Sequence, residues 1–133
     1  MRAAAVIALA LMLAGCGQRP ADTAQQARDA ARVFLVACAQ DKPLAVTDLL
    51  TEPAREEFLR APSTVAGCAA VTNLTVRGAP DAAVRRALRG AQVTITHLHA
   101  IYAVAQLAAP GGVRGGLQLD DVGGDWQIAG GID

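Results

Sequence analysis

Aromatic residues make up only 3% of this 133-residue chain, one Trp, one Tyr and two Phe. Any core must therefore be built from Ala, Val, Leu and Ile, with Trp126 as the largest single apolar side chain. Net charge is also missing: 12 basic residues balance 12 acidic ones. There is no basic surplus to neutralise a phosphate backbone, which removes nucleic acid from the expected partners. The pairing of low hydrophobicity with high net charge that marks disorder is absent, since 53% of the residues are hydrophobic. Ser63 is the only serine and no Gly-x-Ser-x-Gly surrounds it, which argues against a serine nucleophile. No glycine-rich phosphate loop precedes a helical pattern. The two histidines, His97 and His99, lack zinc-finger spacing, so neither metal nor cofactor is expected. The length leaves room for one ordinary domain.

What is present begins at the N-terminus. Arg2 precedes an uninterrupted apolar run, Ala3 to Leu13, the pattern of a short secretory h-region. As a helix it would span about 16 Å, too short for the ~30 Å hydrocarbon core of a bilayer. It leads into Leu13-Ala14-Gly15-Cys16, which resembles at all four positions the lipobox of bacterial lipoproteins. The resemblance implies cleavage before Cys16, a thioether-linked diacylglyceryl group on it, and acyl chains such as palmitate in a membrane. Two chains give a stable anchor where one gives only marginal binding. The alternative is an ordinary secretory peptide cut elsewhere. The organisation expected is thus a signal peptide over 1–15, a lipidated tether over 16–21 and a domain over 22–133. The tether Gly17-Gln18-Arg19-Pro20-Ala21 reaches about 17 Å when extended, which keeps the domain beside the bilayer. The expected address is the extracytoplasmic face of a cell membrane.

With Cys16 assigned to lipid, Cys38 and Cys68 remain as an even pair in a segment placed where disulfides persist. They are expected to be bonded; two buried free thiols are the alternative.

Ala27, Ala30, Ala31, Phe34, Leu35 and Cys38 recur with helical period, predicting a helix from Asp22 to about Lys42, with Gln25, Arg28, Asp29 and Arg32 on its solvated face. A short helix is expected over Leu44 to Leu50. Thr51 then reads as the cap of a helix reaching Arg60, and Ser63 as the cap of another burying Val65, Cys68, Ala69 and Thr72. Leu74-Thr75-Val76 reads as a short strand, and Pro80 to Arg89 as a turn or two of helix with Val84, Ala87 and Leu88 inward. From Ala91 the period changes to two. Strands are expected over Gln92–Leu98, over Ile101–Leu107, from Val113, and through Trp126 and Ile128, with turns at Pro110-Gly111-Gly112 and Asp121-Val122-Gly123-Gly124.

Helices first and consecutive antiparallel strands afterwards make the fold class α+β, N-terminal helices packed on a C-terminal antiparallel meander. The early helix Ala31-Arg32-Val33-Phe34-Leu35, Asp41, the Leu49-Leu50 pair, the two cysteines and the ending Gly123-Gly124-Asp125-Trp126-Gln127-Ile128 together resemble the NTF2-like (SnoaL-like, cystatin-like cone) superfamily, in particular the small NTF2-like lipoproteins of actinobacteria. The chain departs from that pattern where relatives turn with Gly-Asp between the first two long strands; here stand His99-Ala100.

The resemblance implies a cone enclosing a pocket and a fold that often forms homodimers through its sheet, but relatives range from isomerases to proteins without catalysis. His97, Tyr102 and Trp126 are the expected pocket-lining residues, with His97 and His99 on the face of Val93 and Ile95 if the strand stays regular. No catalytic residue is assigned. The expected function is a non-catalytic binding or scaffold module of the cell envelope, contacting an envelope protein or a small apolar ligand. The rival is a small isomerase or lyase that moves a proton through His97 or His99. Arg85, Arg86 and Arg89 form the one basic cluster, read as a solvated helix face.

Overall fold

The computed structural model describes residues 20–132. The signal peptide, the lipobox with Cys16 and most of the tether lie outside the described residues. Among the described residues five helices precede a four-stranded sheet: α1 (Pro20–Ala39), α2 (Pro43–Asp48), α3 (Glu52–Arg60), α4 (Thr64–Val71) and α5 (Asp81–Gly90), then β1 (Gln92–Leu98), β2 (Tyr102–Ala109), β3 (Val113–Val122) and β4 (Asp125–Gly131). The strands pair antiparallel in the order β1-β2-β3-β4. This is the α+β layout expected from the change of period at Ala91.

Helix α1 buries Ala27, Ala31, Phe34, Leu35 and Cys38, one stripe at helical spacing. On its opposite face Gln25 donates to Asp29 at 2.7 Å and Arg28 donates to Gln25 at 2.6 Å. The helix begins two residues before Asp22 and stops at Ala39, short of the expected end at Lys42. It stops because Asp41 adopts a left-handed φ of 58°. The Lys42 N–H then donates to the Ala37 carbonyl and the Asp41 N–H to that of Cys38, both at 3.1 Å. Those two bonds form a Schellman motif.

The same motif ends α4, and it corrects the expected strand at Leu74-Thr75-Val76. Asn73 takes φ 51°, and the Leu74 and Asn73 amides close back onto Ala69 and Ala70. The segment that follows consists of turns. It seals the edge of β3 instead: the Gly116 N–H donates to Thr72 at 2.9 Å, and the Thr75 N–H to Arg114 at 2.8 Å. Leu74 is thereby buried. At the start of α4 the Ser63 hydroxyl accepts from the Ala66 N–H at 3.1 Å, the cap expected of it. Helix α5 occupies the expected span to within one residue at each end, and it buries Val84, Ala87 and Leu88 as their spacing requires.

Cys38 and Cys68 form a disulfide that joins α1 to α4, with a Cα–Cα separation of 6.1 Å. A second long-range link was not legible in the chain. Leu50 bridges in parallel to Ile128, the Thr51 N–H donating to the Ile128 carbonyl and the Ile128 N–H to that of Leu49. The loop before α3 therefore covers the free edge of β4, which would otherwise offer unpaired backbone groups to another chain.

The helices cover one face of the sheet. Toward them point Val93, Ala103, Ala105, Leu107, Leu117, Leu119, Trp126 and Ile128, all buried. The other face carries Thr94, Gln106, Gln118, Asp120 and Gln127. Gly123 and Gly124 make the last hairpin at φ 62° and 95°, the left-handed pair that a two-residue turn requires. Asp121 completes it by accepting from the Gly124 N–H at 2.9 Å.

Candidate functional site

Among the cavities that open on the described residues, three bear on binding. The first, of about 420 Å³, lies between the C-terminal half of α1, the end of α5 and the start of β1. Its floor is apolar: Leu35 and Ala39 from α1, Leu88 from α5, and Ala91. One rim is the i, i+4, i+8 ridge of Arg32, Val36 and Gln40, and the other carries Arg89 and Gln92. The wall thus holds two guanidiniums and two amides over an apolar base. It holds no Asp, Glu, His, Cys or Ser. Val36 remains 52% exposed, an apolar side chain on a flank that the sequence assigns to solvent.

Two further cavities, of about 390 and 280 Å³, flank the bare Gly115-Gly116 backbone and the end of β4. The larger takes Leu107 and Ile132 together with Asn73, Thr75 and Arg114, and the smaller takes Glu57, Arg77 and Asn73 beside Ala70 and Ile132.

The residues expected to line a pocket stand elsewhere. Trp126 is buried at 9% exposure beneath the helices, part of the packed core. His97 and Tyr102 lie on the outer face of the sheet, and none of the three belongs to the wall of these cavities. A β-bulge moves the histidine: Ile95 pairs with Ala105, but His97 pairs with Val104. One extra residue reverses the alternation, so His97 leaves the face of Val93 and Ile95, and Leu98 turns inward in its place. A regular strand was the condition for the expected placement, and the strand is not regular.

His97 and His99 consequently share the outer face with Tyr102. The two imidazole centroids are 6.5 Å apart with planes 3° from parallel, and His99 stacks on Tyr102 at 4.2 Å. The hairpin turns at Ala100-Ile101, closed by the His99 N–H donating to the Tyr102 carbonyl at 2.8 Å. Asp120 pairs opposite Tyr102 but accepts from Gln118 at 2.9 Å. A His97 ring nitrogen lies 3.4 Å from the Thr96 hydroxyl. Neither imidazole has a carboxylate partner among the described ion pairs and hydrogen bonds. Groups of three or more side chains able to hold a metal are absent among the described residues.

No match was found. That holds for protein-family models, for curated proteins and for solved structures alike.

Sequence reasoning placed Arg32 and Arg89 on solvated helix faces and did not join them. The available signal was Val36, one turn beyond Arg32: an apolar residue flanked by arginine and Gln40 on the polar side of α1. Arg85, from the same basic cluster, is not fully solvated. It is half-buried and faces the Asp41 carboxylate at 3.9 Å.

Proposed function

We propose that this chain is a lipid-anchored lipoprotein of the extracytoplasmic face of a bacterial cell membrane. Its α+β domain, NTF2-like by resemblance, acts as a non-catalytic binding module for a small apolar ligand or an envelope protein. The observation that carries the binding reading is the α1–α5 cleft, whose apolar floor is ringed by hydrogen-bond donors. Such a site is suited to holding a molecule. Its wall supplies no nucleophile and no group suited to act as a proton-transfer base.

The address rests on two independent features. The Leu13-Ala14-Gly15-Cys16 sequence is what the lipid-modifying machinery reads, and the Cys38–Cys68 disulfide is of a kind that persists outside the reducing cytosol. Among the described residues no helix is long and apolar enough to cross a membrane. The imidazoles of His97 and His99, stacked on the outer face of the sheet, give the isomerase or lyase reading no enclosed site.

Intact mass of the membrane-extracted protein, with and without reduction before thiol alkylation, tests the address. The expected result is a diacylglyceryl-sized increment on Cys16 and two further alkylations only after reduction. An unlipidated product with all thiols free overturns the proposal.

A further inference from the structure

We infer that the α1–α5 cleft binds a single-chain amphiphilic anion, its acyl chain on Leu35, Ala39, Leu88 and Ala91 and its anionic head between Arg32 and Arg89. The inference rests on the binding-module reading above and names the ligand class for it.

Three observations converge on this chemistry. The first is the distribution of charge. Arg60 pairs with Glu56 and Arg85 with Asp41, whereas Arg32 and Arg89 have no carboxylate within ion-pair distance among the described residues. The Asp41–Arg85 pair involves residues next to Gln40 and one turn before Arg89 in the chain, so the third arginine of the cluster has a carboxylate of its own. Two guanidiniums without a carboxylate partner in the lining of one cleft, one from α1 and one from α5, favour one shared anion, because each can offer a planar fork of donors to carboxylate or phosphate oxygens. No acidic group in the wall opposes it.

The second is shape. About 420 Å³ is near the small end of ligand sites, roughly 300–1,000 Å³. That volume suits one short acyl chain and not a two-chain lipid. The third is the location of apolar surface. The face of the sheet toward the helices is filled by buried Leu117, Leu119 and Trp126, whereas the α1–α5 cleft leaves Leu35, Ala39, Leu88 and Ala91 lining open space. Val36, exposed on the cleft ridge, is the side chain that a bound acyl chain would cover.

Photo-crosslinking of the membrane-extracted full chain with a diazirine-tagged dodecanoate tests this, followed by peptide mapping. Label is expected on residues 32–40 and 88–92. Dodecanoate and dodecyl phosphate should both displace it, and dodecanol and dodecyltrimethylammonium should not. Arg32→Gln combined with Arg89→Gln should reduce cleft labelling about tenfold, the loss of two charge-assisted contacts in a partly solvated site. Val36→Glu, at an exposed position, should reduce it comparably by placing a like charge at the mouth. Trp126 fluorescence and thermal unfolding verify that both variants are folded. Cleft labelling displaced equally by dodecanol, or unchanged in the double variant, overturns the anion assignment and leaves the binding module standing. No cleft label from anionic, neutral or cationic probes overturns both. Label scattered over exposed Leu44, Leu59 and Ile101 is partition onto apolar surface, and it too overturns the inference.

Discussion

The carboxylate of Asp41 lies 3.9 Å from the guanidinium of Arg85, and Asp41 is also the residue that ends α1 in left-handed backbone at φ 58°. One side chain thus terminates a helix and ties it to another. The backbone term is the larger, because left-handed geometry costs a residue with a Cβ about 1–2 kcal/mol unless it is Gly, Asn or Asp, while a surface ion pair contributes about 0–1 kcal/mol. Asp41→Ala should therefore destabilise the protein by about 1–2 kcal/mol, and Asp41→Gly by under about 1 kcal/mol. Urea unfolding of the oxidised protein compares them. Equal losses in the two variants would show that the ion pair, not the backbone, governs the site.

The Cys38–Cys68 bond closes a loop across 30 residues, for which chain entropy alone assigns about 3.7 kcal/mol. In a domain of this size the Cys38→Ala, Cys68→Ala double variant should melt roughly 10–15 °C below the wild type. Both sulfurs belong to fully buried residues. Alkylation after mild reductant should accordingly track local opening of α1 from α4, and scanning calorimetry checks the shift in Tm.

Gly67 is held by contact, not by backbone freedom. A Cβ added there would stand 2.6 Å from Cδ1 of Phe58 and 2.8 Å from the Phe58 carbonyl oxygen. Inside a helix Gly→Ala ordinarily gains up to about 1 kcal/mol, but overpacking against a backbone atom costs about 1–3 kcal/mol. The clash should win, so Gly67→Ala is expected to lose about 1 kcal/mol net in chemical denaturation. Gly115→Ala meets the Thr72 carbonyl at 2.7 Å without the compensating helix gain, and should lose more.

Trp126 and His99 offer a contrast across the two faces of the sheet. Trp126 is the sole tryptophan and is buried, so its emission should be blue-shifted and poorly quenched by acrylamide until the protein unfolds. Trp126→Ala should cost about 3–5 kcal/mol. His99 stacks on Tyr102 in solvent, and a double-mutant cycle on that pair should return no more than about 0.5–1 kcal/mol. A coupling several times larger would mean that the imidazole stack is buried by a partner.

The elements legible in the chain are those whose signal is local. The stripe from Ala27 to Cys38, the Ser63 cap and the Gly123-Gly124 hairpin each depend on neighbours a few residues apart. Leu74-Thr75-Val76 failed as a strand for the opposite reason. Its β-branched residues favour extended backbone, yet Asn73 at φ 51° and the edge of β3 claim its amides first. His97 was misplaced because strand alternation propagates any local irregularity, and one extra residue beyond Ile95 inverts every position after it. The last strand carries a second irregularity, beside Leu119 and Ile128, and Ile132 lies against Gly116.

By itself the sequence determined the α+β class, the order of helices and strands, the inward faces of the long elements and the even cysteine pair, because periodicity, caps, turns and counts are properties of adjacent residues. The tertiary structure alone decided what depends on residues far apart. It covered the edge of β4 with Leu49–Thr51 and turned the histidines to the outer face. It also set Arg32 and Arg89, 57 positions apart in the chain, in the lining of one cleft. No local pattern encodes that last arrangement, since it follows from how α1 and α5 lie against each other, and packing is settled by the whole core at once.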